Sequence, residues 1–349
     1  MITVIVADDS ALMRRVISDM LNSDPTIKVI GTAINGEDCI KKCRELKPDI
    51  MTLDIEMPVL DGLGVLKRLM PENPIPIILL TGTTDAKKTF EGLNLGAVDF
   101  LLKPSGNISL DMDKIRDDLV SKVKAAYDSR EKITDKIQEK IRNPPEEMTP
   151  VNRNFYSTSK KIIVIAASTG GPQALERLLV QLPKNIPAPI LIVQHMPAGF
   201  TKTLAERFNN ACNIAVREAA DGDILEDGVA LIAPGGYHME LEIQDDNSLK
   251  IRLNQKPTEL GVRPNANRLF KSVADIYKDN TIGVVLTGMG YDGTEGSRQI
   301  KNYSGLVIAE SKETAIIYGM PKSIVDNNLA DMTLDVDSIG AALLQAVDV

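Results

Sequence analysis

Residue types that mark several protein classes are scarce in this chain of 349 residues, which has no tryptophan, three cysteines and two histidines. The cysteines, Cys39, Cys43 and Cys212, lack the spacing of a zinc site or a disulfide framework, which indicates a reducing, cytoplasmic setting. No apolar run reaches the roughly 18 residues of a membrane span, so we expect no membrane insertion. A net charge of -8 without a long basic block argues against nucleic acid as a partner.

The apolar runs that are present form two series, separated by a polar segment. In each series, strand-like runs alternate with helical stretches, which is typical of a parallel sheet covered by helices on both faces. We predict a doubly wound, flavodoxin-like α/β domain over residues 1–122 and a second doubly wound, mostly parallel α/β domain over residues 161–349. Residues 123–160 are predicted to be a linker whose first half can be a polar helix. The stretch 229–253 is predicted to be antiparallel, as a hairpin in a mixed sheet.

Acidic and polar residues stand at the ends of the predicted strands of the first domain. Asp8 and Asp9 follow one strand, Asp54 ends another, and Thr81 and Lys103 follow two more. The carboxyl ends of parallel strands share one edge of the sheet, so these side chains are expected to converge. Clustered carboxylates repel one another unless a cation lies among them, and a ligand set made only of oxygen suits Mg²⁺.

A serine occupies an unusual place in the stretch IIVIAASTGGPQALERLL, where a predicted strand gives way to glycines and then to a helix. Ser168 could be a nucleophile, part of a phosphate-binding loop or the N-cap of the helix. Gly170 and Gly171 would let a substrate approach the backbone, and Pro172 can begin the helix. The full G-x-S-x-G pattern is absent because Ala166 stands at its first glycine position.

A serine nucleophile needs a base, and the chain offers only His195 and His238. His195 ends the strand that follows that of Ser168, so both side chains are expected at one edge of the sheet. His238 opens another strand and is less well placed. Asp292, in the loop LTGMGYDG, is the candidate carboxylate that would orient the imidazole.

The same loop also resembles a dinucleotide fingerprint. Gly288, Gly290 and Gly293 follow a strand and precede a helix, and Glu310 ends the next strand, where a ribose-binding acid would lie. The charge of Asp292 within the loop would oppose a pyrophosphate. A nicotinamide enzyme therefore stays as an alternative, to be tested by titration with NAD.

The motifs DDSALMRR, DIEMPVLDG, LLTG and GAVDFLLKP resemble the response-regulator receiver family over about residues 1–120. The resemblance implies that Asp54 is a phosphoacceptor, that Mg²⁺ is needed for its phosphorylation, and that a histidine kinase is the phosphodonor. It implies that Mg²⁺ is bound by Asp8, Asp9, Asp54 and the backbone carbonyl of Glu56. It also implies that the phosphoryl group is sensed by Thr81, Lys103 and Phe100.

The motifs ASTGGP, QHMPAGFT, IAPGGYHM and LTGMGYDG resemble, in that order, the catalytic domain of the chemotaxis protein-glutamate methylesterase (CheB) family over about residues 160–345. The resemblance implies Ser168 as nucleophile, His195 as general base and Asp292 as the residue that orients it. It further implies that the amide of Met289 binds the oxyanion and that Thr169 and His238 line the cleft. The sequence departs from the family at Ala166, where glycine is common.

Together the two resemblances imply a phosphorylation-activated hydrolase that removes methyl esters from chemoreceptor glutamates and deamidates receptor glutamines. No cofactor is expected for the ester step, and we expect a monomer. A second hypothesis, a phosphorylation-controlled binding protein with an inactive enzyme domain, assigns structural roles to Ser168 and His195.

Overall fold

The computed structural model describes residues 1–82, 86–103, 112–142 and 160–348. The chain divides into two compact units, Met1–Glu146 and Glu147–Val349. Within the described residues, no helix is both long and apolar enough to cross a bilayer.

The first unit contains a sheet of five strands in the order β2-β1-β3-β4-β5, and every neighbouring pair is parallel. Its strands are β1 (Ile2–Ala7), β2 (Ile27–Ala33), β3 (Ile50–Asp54), β4 (Ile77–Thr81) and β5 (Asp99–Leu102). Its helices are α1 (Ala11–Asn22), α2 (Gly36–Leu46), α3 (Gly62–Glu72), α4 (Ala86–Asn94), α5 (Met112–Asp128) and α6 (Arg130–Arg142). The predicted doubly wound α/β fold is confirmed for this unit.

Side-chain caps determine where three of these helices begin. Ser10 accepts a hydrogen bond from the Met13 amide, and Asn35 and Asp61 make the equivalent contacts at the starts of α2 and α3. Each cap satisfies an amide that the first helical turn leaves without a partner. The strand-end residues Asp8 and Asp54 are therefore followed, after loops, by helices with defined starting points.

Helix α6 lies inside the segment that the sequence predicts as a linker. Ile133 is buried, and the Thr134 hydroxyl donates to the carbonyl of Pro74 at 3.4 Å. The side chain of Ile137 lies 3.6 Å from the position that a β-carbon on Gly96 would occupy. The helical first half of the predicted linker is therefore packed on the first unit.

The second unit contains a sheet of seven strands in the order β14-β13-β12-β6-β7-β9-β8, again with only parallel pairs. Its strands are β6 (Ile162–Ala167), β7 (Ile190–Gln194), β8 (Ala215–Glu218), β9 (Val229–Ile232), β12 (Thr281–Val285), β13 (Leu306–Glu310) and β14 (Met332–Leu334). Its helices are α7 (Gly171–Leu179), α8 (Phe200–Ala211), α9 (Ala266–Tyr277), α10 (Thr294–Asn302), α11 (Met320–Asp326) and α12 (Val336–Val347).

The predicted antiparallel stretch 229–253 is only partly antiparallel. Strand β9 pairs in parallel with β7 and β8 in the large sheet. The hairpin consists of β10 (His238–Ile243) and β11 (Leu249–Asn254), which form a separate sheet of two strands. The prediction of one mixed sheet was wrong because strand periodicity does not reveal which strands pair.

The centre of the large sheet brings the candidate catalytic segments together. Strand β6 lies between β12 and β7, and Ala167 pairs with Gln194 at the end of β6. Ser168 and His195 are the next residues along these two strands. Both residues consequently leave the sheet at the same edge, beside the loop that follows β12.

Candidate active site

Ser168 lies in the turn between β6 and α7, which we call the Ser168 turn (residues 168–171). Ser168 is partly exposed, and its amide donates to the carbonyl of Thr287 at 3.0 Å. The N-cap of α7 is Gly170, whose φ of 77° is in the left-handed region, with no side-chain capping bond. Capping, one of the three interpretations of Ser168, is therefore not its role.

The two glycines of this turn face other parts of the protein. A β-carbon on Gly170 would lie 2.9 Å from Ile316, and one on Gly171 would lie 2.0 Å from Oε1 of Gln194. The expectation that both glycines let a substrate approach the backbone stays a prediction. They make room for neighbouring side chains of the same unit.

His195 and Asp292 form a hydrogen-bonded pair beside this turn. The His195 amide donates to the carbonyl of Ala167 at 3.1 Å, which holds the two strand ends together. Nε2 of His195 lies 2.8 Å from Oδ2 of Asp292. With Nε2 engaged by the carboxylate, Nδ1 is the imidazole nitrogen left to act as a base.

Asp292 lies in the loop between β12 and α10 and is buried against the N-terminus of α9. Its oxygens accept hydrogen bonds from the amides of Ala266 at 2.7 Å and Asn267 at 3.0 Å, as well as contacting His195. Burial acts to raise the pKa of Asp292, but the hydrogen bonds from His195 and these amides outweigh it, and the pKa lies below its ordinary value. The residue is thus an ionised carboxylate at neutral pH, aimed at the imidazole.

The loop after β12 also passes next to the nucleophile. A β-carbon on Gly288 would lie 2.8 Å from Cβ of Ser168. Met289, the next residue, is partly exposed, and its amide donates no hydrogen bond within the described part of the chain. The loop thus brings Gly288 against Ser168, and the Met289 amide is the next backbone donor along the chain; its role in binding an oxyanion stays a prediction.

Both of the predicted cleft residues, Thr169 and His238, are buried in the structure. Thr169 is buried in the Ser168 turn, where its carbonyl accepts from the Thr287 hydroxyl at 2.9 Å. His238 is fully buried at the start of β10, with Nε2 3.1 Å from the carbonyl of Pro257. Burial lowers its pKa. A cleft role for either residue stays a prediction.

The first unit brings its strand-end residues together as well. Carboxylate oxygens of Asp8, Asp9 and Asp54 all lie within 4.8 Å of one another. Nζ of Lys103 lies 2.9 Å from Asp8 and 2.6 Å from Asp54. Burial raises the pKa of Asp54 to about 6, against the opposing effect of Lys103. Burial alone would lower the pKa of Lys103, but hydrogen bonds to the two carboxylates raise it.

The remaining receiver candidates flank this cluster. Thr81 is buried at the end of β4, and its hydroxyl accepts from Thr89 at 2.9 Å. Phe100 is buried in β5. Glu56 is exposed; its amide donates to Asp54 at 3.2 Å, and its side chain pairs with Lys88 at 2.5 Å. Their sensing and ligand roles stay predictions.

Comparison with known proteins identifies both units. The model of the CheB methylesterase family matches residues 163–343, and that of the response regulator receiver domain matches residues 4–113. A Halalkalibacterium halodurans protein named protein-glutamate methylesterase/protein-glutamine glutaminase is 48% identical over 346 residues, which cover 99% of this chain and 98% of that protein. This chain belongs to the CheB methylesterase family.

Two further relatives agree with this assignment. A Methanosarcina acetivorans protein named protein-glutamate methylesterase/protein-glutamine glutaminase 2 is 43% identical over 353 residues, or 99% of each chain. The crystal structure of the Thermotoga maritima CheB methylesterase catalytic domain is 45% identical, covers 54% of this chain and 100% of its own, and superposes with a TM-score of 0.53. The chain is accordingly an enzyme, a hydrolase of carboxylic esters, with a receiver domain at its N-terminal side.

In this CheB-family chain the apparent dinucleotide fingerprint has other functions. The Gly293 amide donates to the side chains of Asn267 and Asp292, at 3.0 and 2.9 Å. Glu310 is fully buried, and its Oε2 accepts from the Thr287 amide at 2.7 Å. These contacts occupy the groups that a pyrophosphate and a ribose would need. The site therefore argues against the nicotinamide alternative.

Three residues of the site were missed by sequence reasoning. Gln194 and Thr287 contact the Ser168 turn, and Asn267 accepts hydrogen bonds from Gly293 and Gly296 at the start of α10. Gln194 and Thr287 lie within the motifs quoted above, next to residues that were singled out. Both are polar residues near the end of a buried strand, and this position is the sequence feature that could have indicated their contacts with the site.

The cysteines of this CheB-family chain are poor nucleophiles. Burial raises the pKa of Cys39 to about 12, of Cys43 to about 11 and of Cys212 to about 12. At pH 8 a thiol with a pKa of 11 is about 0.1% thiolate.

The cysteines should therefore react slowly with an alkylating reagent in the native protein. We expect iodoacetamide at pH 8 to modify the native protein slowly and to modify all three cysteines rapidly in denaturant, as followed by mass spectrometry. Rapid modification of native protein would contradict the burial seen here.

Proposed function

We propose that this chain hydrolyses the methyl esters of glutamate side chains on chemoreceptors, and deamidates receptor glutamines, through Ser168, His195 and Asp292. Phosphorylation of Asp54 is proposed to raise this activity. The observation that carries the proposal is the hydrogen bond between the buried carboxylate of Asp292 and Nε2 of His195, at the sheet edge where Ser168 leaves the adjacent strand. A carboxylate, an imidazole and a hydroxyl in this order are the arrangement of serine hydrolases.

The proposed reaction uses Nδ1 of His195 as the base. Asp292 accepts a hydrogen bond from the protonated Nε2, so Nδ1 is the unprotonated nitrogen. Nδ1 takes the proton of the Ser168 hydroxyl as Oγ attacks the ester carbonyl. The resulting oxyanion accepts a hydrogen bond from the Met289 amide. As the tetrahedral intermediate collapses, the bond from the acyl carbon to the methoxy oxygen breaks, and the imidazolium protonates that oxygen, which leaves as methanol. Water, activated by the same imidazole, hydrolyses the acyl-enzyme and regenerates Ser168.

Deamidation of glutamine follows from the same steps with a different leaving group. The side-chain amide replaces the ester, and His195 protonates the amide nitrogen, which leaves as ammonia in place of methanol. Both reactions yield a glutamate on the receptor. Neither needs a group that the described residues do not supply.

The receiver chemistry is proposed to centre on Asp54. Asp8, Asp9, Asp54 and the Glu56 carbonyl would hold Mg²⁺, and three carboxylates within 4.8 Å, with only oxygen donors, fit this ion. Bound Mg²⁺ would neutralise charge between the carboxylate and an incoming phosphoryl group. Lys103, already paired with Asp54, would contact a phosphoryl oxygen, and a histidine kinase would be the donor.

The proposed function is tested by measuring methanol release. Membranes that carry methylated chemoreceptors, labelled in the methyl group, are incubated with the full chain in the presence and absence of acetyl phosphate and Mg²⁺. We expect labelled methanol to be released by the chain and faster with the phosphodonor. Release at the rate of the membranes alone would contradict the esterase proposal.

Replacing the proposed phosphoacceptor should remove the response to the phosphodonor. In Asp54→Asn the side chain has no carboxylate to be phosphorylated, so the ratio of methanol release with and without acetyl phosphate should fall to about one. Asp19→Asn changes an exposed aspartate of α1 and serves as the matched control, which should keep the wild-type ratio. An undiminished ratio in Asp54→Asn would place the phosphoacceptor elsewhere.

A further inference from the structure

The Ser168 turn leaves the sheet with polar backbone groups that need partners. Strand β6 ends at Ala167, so the Ser168 amide, the Ser168 carbonyl and the Thr169 carbonyl lie beyond its ladder. The Gly171 amide satisfies part of this need by donating to the Ser168 carbonyl at 2.7 Å. The other partners come from the last residue of β7 on one side and from the loop after β12 on the other.

On the β12 side the partner is Thr287. Its carbonyl accepts from the Ser168 amide at 3.0 Å, and its hydroxyl donates to the Thr169 carbonyl at 2.9 Å. The hydroxyl also accepts from the Ile317 amide at 2.9 Å, and the Thr287 amide donates to Glu310. Thr287 is fully buried, so its own position is determined by these bonds.

On the β7 side the partner is Gln194. Its Nε2 donates to the Ser168 carbonyl at 3.0 Å and to the His195 carbonyl at 3.2 Å. One buried amide group thus contacts the backbone of both the proposed nucleophile and the proposed base. A change in its position would alter the spacing of the two residues.

Gly171 fits closely against Gln194. A β-carbon on Gly171 would lie 2.0 Å from Oε1 of Gln194, so the neighbouring amide would have to move for any other residue to fit. At Gly170 a β-carbon would meet Ile316 first, at 2.9 Å, and Oγ1 of Thr287 at 3.2 Å. The contact at Gly171 is independent of the hydrogen bonds and ties that glycine to the Gln194 side chain.

We propose that Thr287 and Gln194 are positioning residues that hold the Ser168 turn from its two sides and thereby set the approach of Ser168 to His195. The inference rests on the proposed serine mechanism. Neither side chain reacts; each acts through the backbone of the turn. Displacement of a nucleophile by about 1 Å can lower a rate by about a hundredfold, so loss of either contact should appear in kcat.

The test compares variants of the full chain that keep or remove the hydrogen-bonding groups. Thr287→Val removes the hydroxyl and Thr287→Ser retains it, while Gln194→Met keeps the length of the side chain without its donors. With methylated receptor membranes as substrate, we expect Thr287→Val and Gln194→Met to lower kcat by at least about tenfold with KM within about twofold. Thr287→Ser should retain most of the wild-type kcat.

The outcomes separate this inference from the proposed function. If Ser168→Ala is inactive but Thr287→Val matches Thr287→Ser, or Gln194→Met keeps the wild-type kcat, the positioning role is overturned and the serine mechanism stands. If Ser168→Ala retains full activity, the proposed mechanism falls and this inference falls with it. Thermal unfolding of each variant, measured in the assay buffer, shows whether the variant is folded at the assay temperature. Only then does a lower kcat count as an effect on catalysis.

Gly171 supplies a further check on the same assignment. Gly171→Ala should lower kcat when Gln194 is present, because the new methyl group displaces the Gln194 amide. In a Gln194→Ala background the same substitution should lower kcat less, since the 2.0 Å contact with Oε1 is gone and only the 2.9 Å contact with Cβ of Ala167 remains. Equal effects in the two backgrounds would overturn the proposed link between Gly171 and Gln194.

Discussion

Ser168→Ala is expected to abolish methanol release, with a fall in kcat of at least about a thousandfold. Without the hydroxyl no acyl-enzyme forms, and only direct attack of water on the bound ester remains. Ser168 is partly exposed, and its carbonyl and amide keep their partners in the variant, so the fold should be little affected. The measurement is single-turnover and steady-state release of labelled methanol from methylated receptor membranes.

The control for this substitution is Ser338→Ala, at an exposed serine of α12. The control should release methanol at the wild-type rate, and both variants should unfold at nearly the wild-type temperature. If Ser168→Ala retained even a tenth of the wild-type kcat, serine catalysis would be excluded. The phosphoacceptor assignment would not be affected by that result.

Asp292→Asn is expected to have the second largest effect, a fall in kcat of about a thousandfold or more. The carboxylate accepts from Nε2 of His195, and this leaves Nδ1 as the base. An amide in its place can present an N–H to the imidazole, which favours the tautomer in which Nδ1 carries the proton and cannot accept one. The loss of negative charge also destabilises the imidazolium formed during the reaction.

Stability has to be measured alongside the rate for this variant. Asp292 accepts hydrogen bonds from the amides of Ala266, Asn267 and Gly293, and an asparagine has only one oxygen to offer them. We therefore expect a lower unfolding free energy, by about 1–3 kcal/mol. Asp245→Asn, at an exposed position in the turn between β10 and β11, is the matched control. A folded Asp292→Asn with the wild-type kcat would contradict the proposed role.

Much of the architecture could be predicted from local patterns. The buried strand Ile162–Ala167 is a continuous apolar run, and Ile50–Asp54 is apolar except for Thr52 and the terminal aspartate; the positions of both follow from the sequence alone. The short edge strands Ala215–Glu218 and Met332–Leu334 were missed because they have few apolar residues and are partly exposed. The pairing of Val229–Ile232 was wrong because it depends on distant strands.

The candidate sites divide in the same way. Asp8, Asp9 and Asp54 could be expected to meet because strand ends share an edge, and their oxygens do lie within 4.8 Å. The hydrogen bond between His195 and Asp292 was also expected and is observed. The roles of Gln194 and Thr287 could not be predicted, because the partners of a buried polar side chain are backbone groups that folding brings to it.

The amino-acid sequence by itself determined two α/β units, the residue types at each strand end and the family to which the chain belongs, because these depend on local periodicity and on motifs a few residues long. Only the tertiary structure decided which strand ends are neighbours, that Asp292 lies against the start of α9, and that the glycines after Ser168 face Ile316 and Gln194. Those features join residues far apart in the chain, 97 positions in the case of His195 and Asp292. Their distances are set by the pairing order of the whole sheet, which no short segment encodes.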